Sequence, residues 1–353
     1  MPSDYKTKAV ALLKAIETGD AAPVGVINPA KYTQHNLAVG DGLAGFGAAL
    51  QALPKGSAKV NTVRVFQDGD FVFAHTDYNF FGPKIGFDVF RFEDGKIVEH
   101  WDNLQETPTS PNPSGHTMLD GPVQATDLTS TEANKKLVTG FVTDVLLHGC
   151  MDSFNSYVDP ENYTQHNPKI GDGLAGLKKG FEARAQAGQS LKYDRLFKVL
   201  GEGNFVLAIS EGHSASSPIA FYDLFRVANG KIVEHWDTVE AIPERAAWRN
   251  QNGKFQSEAE VIEVVTLKLK PGVTVAEFKP VDHELGAQYV SKQPGFISRE
   301  SAAADNGDWL VIVHWRSVQD ADASMEAFER APGAAAFMAN IDASTMTMKR
   351  YSK

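Results

Sequence analysis

The pentapeptide Tyr32-Thr33-Gln34-His35-Asn36 returns as Tyr163-Thr164-Gln165-His166-Asn167, 131 residues on (32 to 163). Asp41-Gly42-Leu43-Ala44-Gly45 returns as Asp172-Gly173-Leu174-Ala175-Gly176 at the same spacing. Gly95-Lys96-Ile97-Val98-Glu99-His100-Trp101-Asp102 returns as Gly230-Lys231-Ile232-Val233-Glu234-His235-Trp236-Asp237, now 135 on (100 to 235). The second copy therefore carries a few inserted residues between the blocks. Such a period is too long for a solenoid unit and matches a whole domain. The chain reads as a tandem duplication, so whatever the first copy folds into the second must fold into as well.

Between the copies, Glu106 to Leu128 is rich in Pro, Ser, Thr and Gly, including Pro108, Pro111, Pro113 and Pro122. That composition predicts an extended connector without a core. Ala241 to Lys254 reads as a second connector, and the segment from Phe255, which resembles neither copy, as a third domain. The expected layout is a first copy at 1–110, a linker at 111–127, a second copy at 128–245, a linker at 246–258 and a third domain at 259–353.

Composition narrows the partners. At 42% hydrophobic residues there is apolar material for several cores. A net charge of −10 opposes phosphate-backbone binding, which needs clustered Lys and Arg, so no nucleic-acid partner is expected. The single cysteine, Cys150, follows Leu146-Leu147-His148-Gly149 and reads as a small hydrophobe at the end of a buried helix. Met1-Pro2-Ser3-Asp4-Tyr5-Lys6 has no apolar signal region, and no run reaches membrane-spanning length. A cytoplasmic protein with no membrane partner is expected.

Each copy opens with a helix. In the second, Thr129 and Glu132 have capping-box spacing, with Leu137, Phe141 and Val145 in one stripe beside Val138, Val142 and Leu146. Asp41 is placed to cap a further helix from Gly42. Strands are expected at 61–67, 71–79, 86–92 and 96–105, divided by Asp68-Gly69, Gly82-Pro83 and Asp94-Gly95 turns. Helices followed by an antiparallel sheet make an α+β domain.

The last hairpin decides which side chains share a face. A two-residue Asp94-Gly95 loop opposes Val89 to His100; a three-residue loop ending on Gly95 opposes Asp88 to His100. The second register gathers Asp88, Phe90, Phe92, Val98, His100 and Asp102 on one face and leaves Arg91 with Glu99 on the other. In the second copy it pairs Asp223 with His235 and Arg226 with Glu234, and it is the register expected. An aspartate facing a histidine on an apolar surface can do acid–base work, because burial raises a carboxylate pKa and an imidazolium lowers it. The bland alternative is a satisfied buried contact, with Trp101 and Trp236 as core or interface packing. His35 and His166 sit in loops able to close over the same cavity. Metal is a competing use of His35, His75, His100, Asp88 and Asp102. However, His75 falls on Ile209 in the second copy, with only His213 nearby, and no His-x-x-x-His or Cys-x-x-Cys spacing occurs. No metal is expected.

The Tyr-Thr-Gln-His-Asn block, Phe87-Asp88-Val89-Phe90-Arg91 and Gly95 to Asp102 resemble the SnoaL-like polyketide cyclases of the nuclear transport factor 2-like superfamily. The resemblance spans residues 1–110 and 128–245. It implies two tandem cone-shaped domains, each a curved sheet wrapped by helices, and a cofactor-free aldol-type cyclisation. By position it implies Asp88 and Asp223 as acid/base, His100 and His235 as partners, and His35, His75, Asp102, His166, His213 and Asp237 as pocket residues. The superfamily also holds isomerases, hydrolases, dehydratases and binding-only members. Since His75 is replaced by Ile209, one pocket can differ from the other.

The last segment reads β-α-β-β-α-β: strand 261–269, helix 275–292, strands 296–302 and 309–316, helix 318–340 and strand 345–351, a ferredoxin-like unit. Gln293-Pro294-Gly295-Phe296, Trp309 to Arg316 and Ala336-Phe337-Met338 resemble the antibiotic-biosynthesis-monooxygenase-like dimeric α/β barrels. This implies a dimerisation module, or else an oxygenase pocket with His314 and Trp315 as candidates. The leading expectation is a cofactor-independent cyclase or isomerase that abstracts a proton α to a carbonyl of a small polyketide-like molecule. Its alternatives are a ligand-binding sensor or carrier, and a cofactor-free monooxygenase acting through the last domain. A homodimer is expected, with the two copies packed as an internal pseudo-dimer.

Overall fold

The computed structural model describes residues 4–53, 56–215, 217–255, 261–293, 295–304, 307–315 and 318–352. Met1-Pro2-Ser3, Pro294 and Arg316, all used in the sequence readings, lie outside the described residues. The chain is mixed α and β and divides into two compact units, Met1–Phe255 and Gln256–Lys353.

In the first unit, α1 (Tyr5–Thr18) buries Ala9, Leu12 and Leu13, positions that share one helical face. It stops at Gly19, which is left-handed (φ 70°) and returns its N–H to Ala15. Then come β1 (Thr33–Gln34), α2 (Gly42–Ala52), β2 (Lys59–Asp68), β3 (Phe71–Asn79), β4 (Pro83–Glu93) and β5 (Lys96–Glu106). The second repeat follows the same plan: α3 (Thr131–Phe141), α4 (Phe154–Tyr157), β6 (Thr164–Gln165), α5 (Gly173–Gln186), β7 (Leu191–Glu202), β8 (Phe205–Ser214), β9 (Ser217–Ala228) and β10 (Lys231–Ala241). The sheets have matching orders, β1-β5-β4-β3-β2 and β6-β10-β9-β8-β7. Only the short first strand of each is parallel to its neighbour.

Strand β4 is buried almost without interruption, because both faces of the sheet are covered. One face packs on α1 through Val72, Phe90, Phe92, Leu12 and Leu13. The other meets the second sheet in a single apolar cluster that joins Phe66, Phe73, Phe87, Val89 and Trp101 to Phe205, Leu207, Tyr222, Leu224 and Trp236. Each such aromatic buries roughly 150–250 Å², about 4–6 kcal/mol of gross transfer energy.

Several local expectations are corrected. The Asp94-Gly95 loop has two residues, both at positive φ, as does Asn229-Gly230. A bulge then intervenes: Arg91 pairs with Glu99 but Phe92 with Ile97, leaving Val98 extra, and Val233 is the extra residue in the second repeat. Asp88 therefore opposes Asp102, and His100 opposes Phe90, neither of the two registers considered. Asp41 occupies the N-cap position of α2 without capping it; its Oδ1 accepts the Gln34 N–H instead, at 3.0 Å. No capping box forms at Thr129 and Glu132, since α3 starts at Thr131 with Ser130 before it. Cys150 is exposed in a turn rather than buried at a helix end.

The connectors are not structureless spacers. Asn112 and Met118 are buried, as are Asn250 and Lys254. Each connector closes over the loop of the other repeat. Asn112 donates to the Gln165 and Ile170 carbonyls, and Asn250 and Asn252 donate to those of Asn36, Val39 and Gln34.

The second unit comprises β11 (Val261–Leu269), α6 (Val275–Gln288), β12 (Phe296–Ala303), β13 (Asp308–Trp315), α7 (Val318–Ala327), α8 (Ala334–Asn340) and β14 (Ile341–Ser352). Its antiparallel sheet runs β12-β13-β11-β14. Thr274 and Glu277 form a capping box on α6. The expected single helix 318–340 is two helices, broken before the left-handed Gly333 (φ 84°). Strand β13 alternates strictly, so Trp315 is in the core while His314 lies half-buried on the opposite face; they do not share a pocket.

Candidate functional site

Because residues on one face of a strand alternate, β4 and β5 place Asp88, Phe90, His100 and Asp102 together under α1 and α2. The bulge keeps Asp88, Phe90, His100 and Asp102 together as expected while shifting their pairing by two residues, and Ile97 rather than Val98 stands opposite Phe92. His100 Nε2 reaches diagonally to Asp88 Oδ1 at 3.2 Å, and its ring stacks on Phe90 at 4.7 Å. Nδ1 faces the Gln34 side-chain oxygen at 2.9 Å. That oxygen also accepts the Asn36 N–H, and the Gln34 amide nitrogen donates to Tyr32, which fixes the orientation of the amide. Nδ1 therefore holds a hydrogen, and Nε2 is left to share one with Asp88. Tyr78 donates to the other oxygen of Asp88 at 2.6 Å, and Asn36 donates to Asp102 at 2.5 Å.

The second repeat rebuilds this line. His235 Nδ1 meets Gln165 Oε1 at 2.9 Å, Nε2 meets Asp223 Oδ1 at 3.0 Å, and Asn167 donates to Asp237 at 2.6 Å. The phenol comes from a different strand: Tyr193 on β7 donates to Asp223 at 3.2 Å. Burial alone would lower the His235 pKa, but its hydrogen bond to Asp223 and the charges of Asp237 and Asp223 outweigh this and raise it. Asp237 is raised by burial first and by Asp223, partly offset by His235, Asn167 and Arg184. Its Oδ1 has no hydrogen-bond partner.

Each line floors a cavity. The first, about 770 Å³, is bounded by Asp88, His100, Asp102, Gln34 and Asn36 and by apolar side chains of α1 and α2. The second, about 330 Å³, is bounded by Asp223, His235, Asp237, Gln165, Asn167 and Tyr193. Both sizes fall in the range of small-molecule pockets. The ligand atoms of Asp88, His100 and Asp102, and those of Asp223, His235 and Asp237, lie within 4.8 Å of one another, as do those of His116, Asp120 and His166. In the first two sets the histidine and one aspartate are already bonded to each other.

Other expected pocket residues lie elsewhere. Since β1 pairs with β5 at Gln34, the next residue, His35, points to the opposite face. There its ring stacks on Trp101 at 4.8 Å, between the Gly253 carbonyl (2.7 Å) and Glu99 (3.0 Å). His166 stacks likewise on Trp236, between the Thr117 carbonyl and Glu234. Both nitrogens of each ring face oxygen partners. Arg91 and Arg226 bond the far oxygens of Glu99 and Glu234. Burial works to raise the Glu234 pKa, but hydrogen bonds from His166 and Arg226 hold it below the usual value. His75 is buried between the sheets, at 3.1 Å from Arg64 and stacked on Phe87. His213 pairs with Asp194 at 2.6 Å near the surface. None of these four histidines lines either of the two cavities. Among the pocket residues that the sequence reading missed are Gln34, Asn36, Tyr78, Gln165, Asn167 and Tyr193. The repeated pentapeptide contained four of them, whereas the two tyrosines occupy different positions in the two copies and left no repeat signal.

No family model matches this chain, and no curated protein matches it. Solved structures do. The cofactor-independent oxygenase SnoaB from Streptomyces nogalater is 19% identical over 28% of this chain and 94% of its own, with a TM-score of 0.24. IdmH, a putative polyketide cyclase from Streptomyces antibioticus, is 16% identical over 30% of this chain and 91% of its own, with a TM-score of 0.25. A putative ketosteroid isomerase from Kribbella flavida DSM 17836 is 13% identical over 33% of this chain and 83% of its own, with a TM-score of 0.28. Among the described residues, no helix is long and apolar enough to cross a membrane.

Proposed function

We propose that the chain is a cofactor-independent cyclase or isomerase that removes a proton α to a carbonyl of a small polyketide-like or related metabolite. Asp88 and Asp223 are the bases. The observation that carries this reading is the Gln–His–Asp line beneath a cavity, built twice, with the histidine tautomer fixed by a glutamine whose own amide is fixed. The aspartate takes the proton from carbon, and the C–H electron pair moves into the carbonyl to give an enolate. In the second repeat, the buried Asp237 carboxyl, with its pKa raised and one oxygen unpartnered, is placed to donate a hydrogen bond to that oxygen. The enolate carbon then attacks a second carbonyl of the same molecule, or takes a proton back at another position.

The two repeats are assigned as tandem SnoaL-like domains packed as an internal pseudo-dimer, a reading supported by their matching strand orders and shared apolar cluster. The β12-β13-β11-β14 order supports a ferredoxin-like unit, to which homodimerisation is assigned. A cytoplasmic location is part of the same proposal. The test is solvent-deuterium incorporation into β-dicarbonyl and polyketide-like compounds. Exchange that vanishes in the double variant Asp88→Asn/Asp223→Asn supports the reading; saturable binding without exchange in the wild type replaces it with a carrier.

A further inference from the structure

The polar floors of the two cavities match closely, but their walls differ at one decisive position. Arg184, in the last turn of α5, lines the second cavity beside Phe181, Ser190 and Tyr193. Carried back by the 131-residue spacing, Arg184 aligns with Leu53, which lines the first cavity just past the end of α2. Arg184 is half-buried, and its Nε is shielded from water with no hydrogen-bond partner. Among the described residues its guanidinium enters no ion pair, although it is near enough to Asp237 to oppose the rise in that carboxyl's pKa. On the facing wall, Asp237 Oδ1 is buried and equally unpartnered.

A half-buried guanidinium whose shielded Nε–H has no acceptor is an unfavourable arrangement for a protein to keep empty. A planar oxyanion relieves it, because its two oxygens match the fork of N–H groups. Asp237 does not serve as that partner, and the cavity between is open. We propose that the second cavity holds a small ligand bearing a carboxylate, gripped by Arg184, with its reactive carbonyl end against Asp223 and His235. The orientation rests on the proton-abstraction reading; the carboxylate site itself does not. At less than half the volume of the first cavity, the second takes the smaller molecule. The first cavity has cations on its lining, Lys84 and Arg249, but Leu53 at the decisive place.

The experiment is calorimetric titration of the full chain with benzoate and 2-naphthoate, each compared with its methyl ester. Wild type, Arg184→Leu, Arg184→Lys and Asp223→Asn are compared. Leucine is a good helix former and Arg184 is only half-buried in the last turn of α5, so the fold tolerates the change. At least one acid is expected to bind the wild type about tenfold or more tightly than its ester, the scale of one charge-assisted pair. Arg184→Leu abolishes the preference, Arg184→Lys restores part of it, and Asp223→Asn retains it. The last arm separates the two claims, since absent deuterium exchange then leaves the carboxylate site standing. A wild type with no acid preference overturns the proposal. So does a preference that survives Arg184→Leu, which assigns it to Lys84 or Arg249 of the first cavity.

Discussion

Tyr78 reaches Asp88 across the sheet from β3, its hydroxyl 2.6 Å from Oδ2, with both groups buried. Burial first, then the charge of Asp88, pushes the phenol pKa well above its ordinary value, so Tyr78 is a hydrogen donor throughout the working range. Tyr78→Phe leaves one oxygen of Asp88 buried and unpaired. The expected cost is about 1–3 kcal/mol in urea denaturation, with a matching loss of exchange at the first site. A variant as stable as wild type contradicts this role for the bond.

Gln34 and Gln165 should affect turnover more than binding. Gln34→Leu removes the oxygen that holds hydrogen on His100 Nδ1. The hydrogen on Nδ1 is then no longer held there, and kcat for exchange should fall by at least about tenfold with KM little changed. The ¹⁵N shifts of His100 report the tautomer directly. An unaltered tautomer in the variant refutes the assignment.

The pH dependence of stability follows from three groups in the second repeat. His235 binds its proton more tightly folded than unfolded, so its contribution is complete below the ordinary value of 6.5 and is lost as pH rises through the raised folded value. Asp237 is also raised, so stability falls as pH climbs from 3.8 through its folded value. Glu234 is lowered and acts in the opposite sense: its contribution is present above 4.5 and is lost as pH falls through its folded value. Urea midpoints measured against pH should lose their decline above 6.5 in His235→Gln. In Asp237→Asn they should lose the decline that begins near 3.8. Unchanged slopes in both variants would falsify the assignment.

Arg64 is buried between the sheets, where it bonds the carbonyls of Leu119, Asp120 and Pro122 and lies 4.5 Å from the Trp236 ring. Arg64→Lys keeps the charge but loses the fork and the flat stacking surface. A loss of about 3 kcal/mol or more is expected, with faster proteolysis between residues 112 and 122. Wild-type stability in the lysine variant rules out bidentate bonding as the source.

Much of the site was legible because the duplication marks it. Gly95 to Asp102 and its copy identify the strand that carries His100 and His235, and alternation along it predicts the shared face with Asp88 and Asp223. The bulges at Val98 and Val233 were not legible, since a bulge is settled by packing on both faces of the hairpin. Having the right parity protected the grouping from the wrong pairing. His35 and His166 were misplaced because a two-residue strand gives no periodicity from which to read a face. Tyr78 and Tyr193 show the same limit. Gly212 stands where the first repeat has Tyr78, and Phe221 where it has Gly86, so the phenol in the second repeat comes from β7. In the second repeat the Tyr193 ring stacks on that phenylalanine at 4.1 Å. Only the fold connects these exchanges.

The crossed connectors bear on what counts as one heritable piece of this molecule. His35 is completed by the Gly253 carbonyl and His166 by that of Thr117, each supplied by the stretch that trails the opposite copy. Cut out alone, either repeat would carry the residues of its sheet and its Asp–His line yet lack an acceptor that its own stretch of sequence never encodes. A point change in one connector is felt in the other repeat's loop, so the two halves are bound to evolve as a couple, and a swap with a related protein should exchange a repeat together with the connector that closes over it.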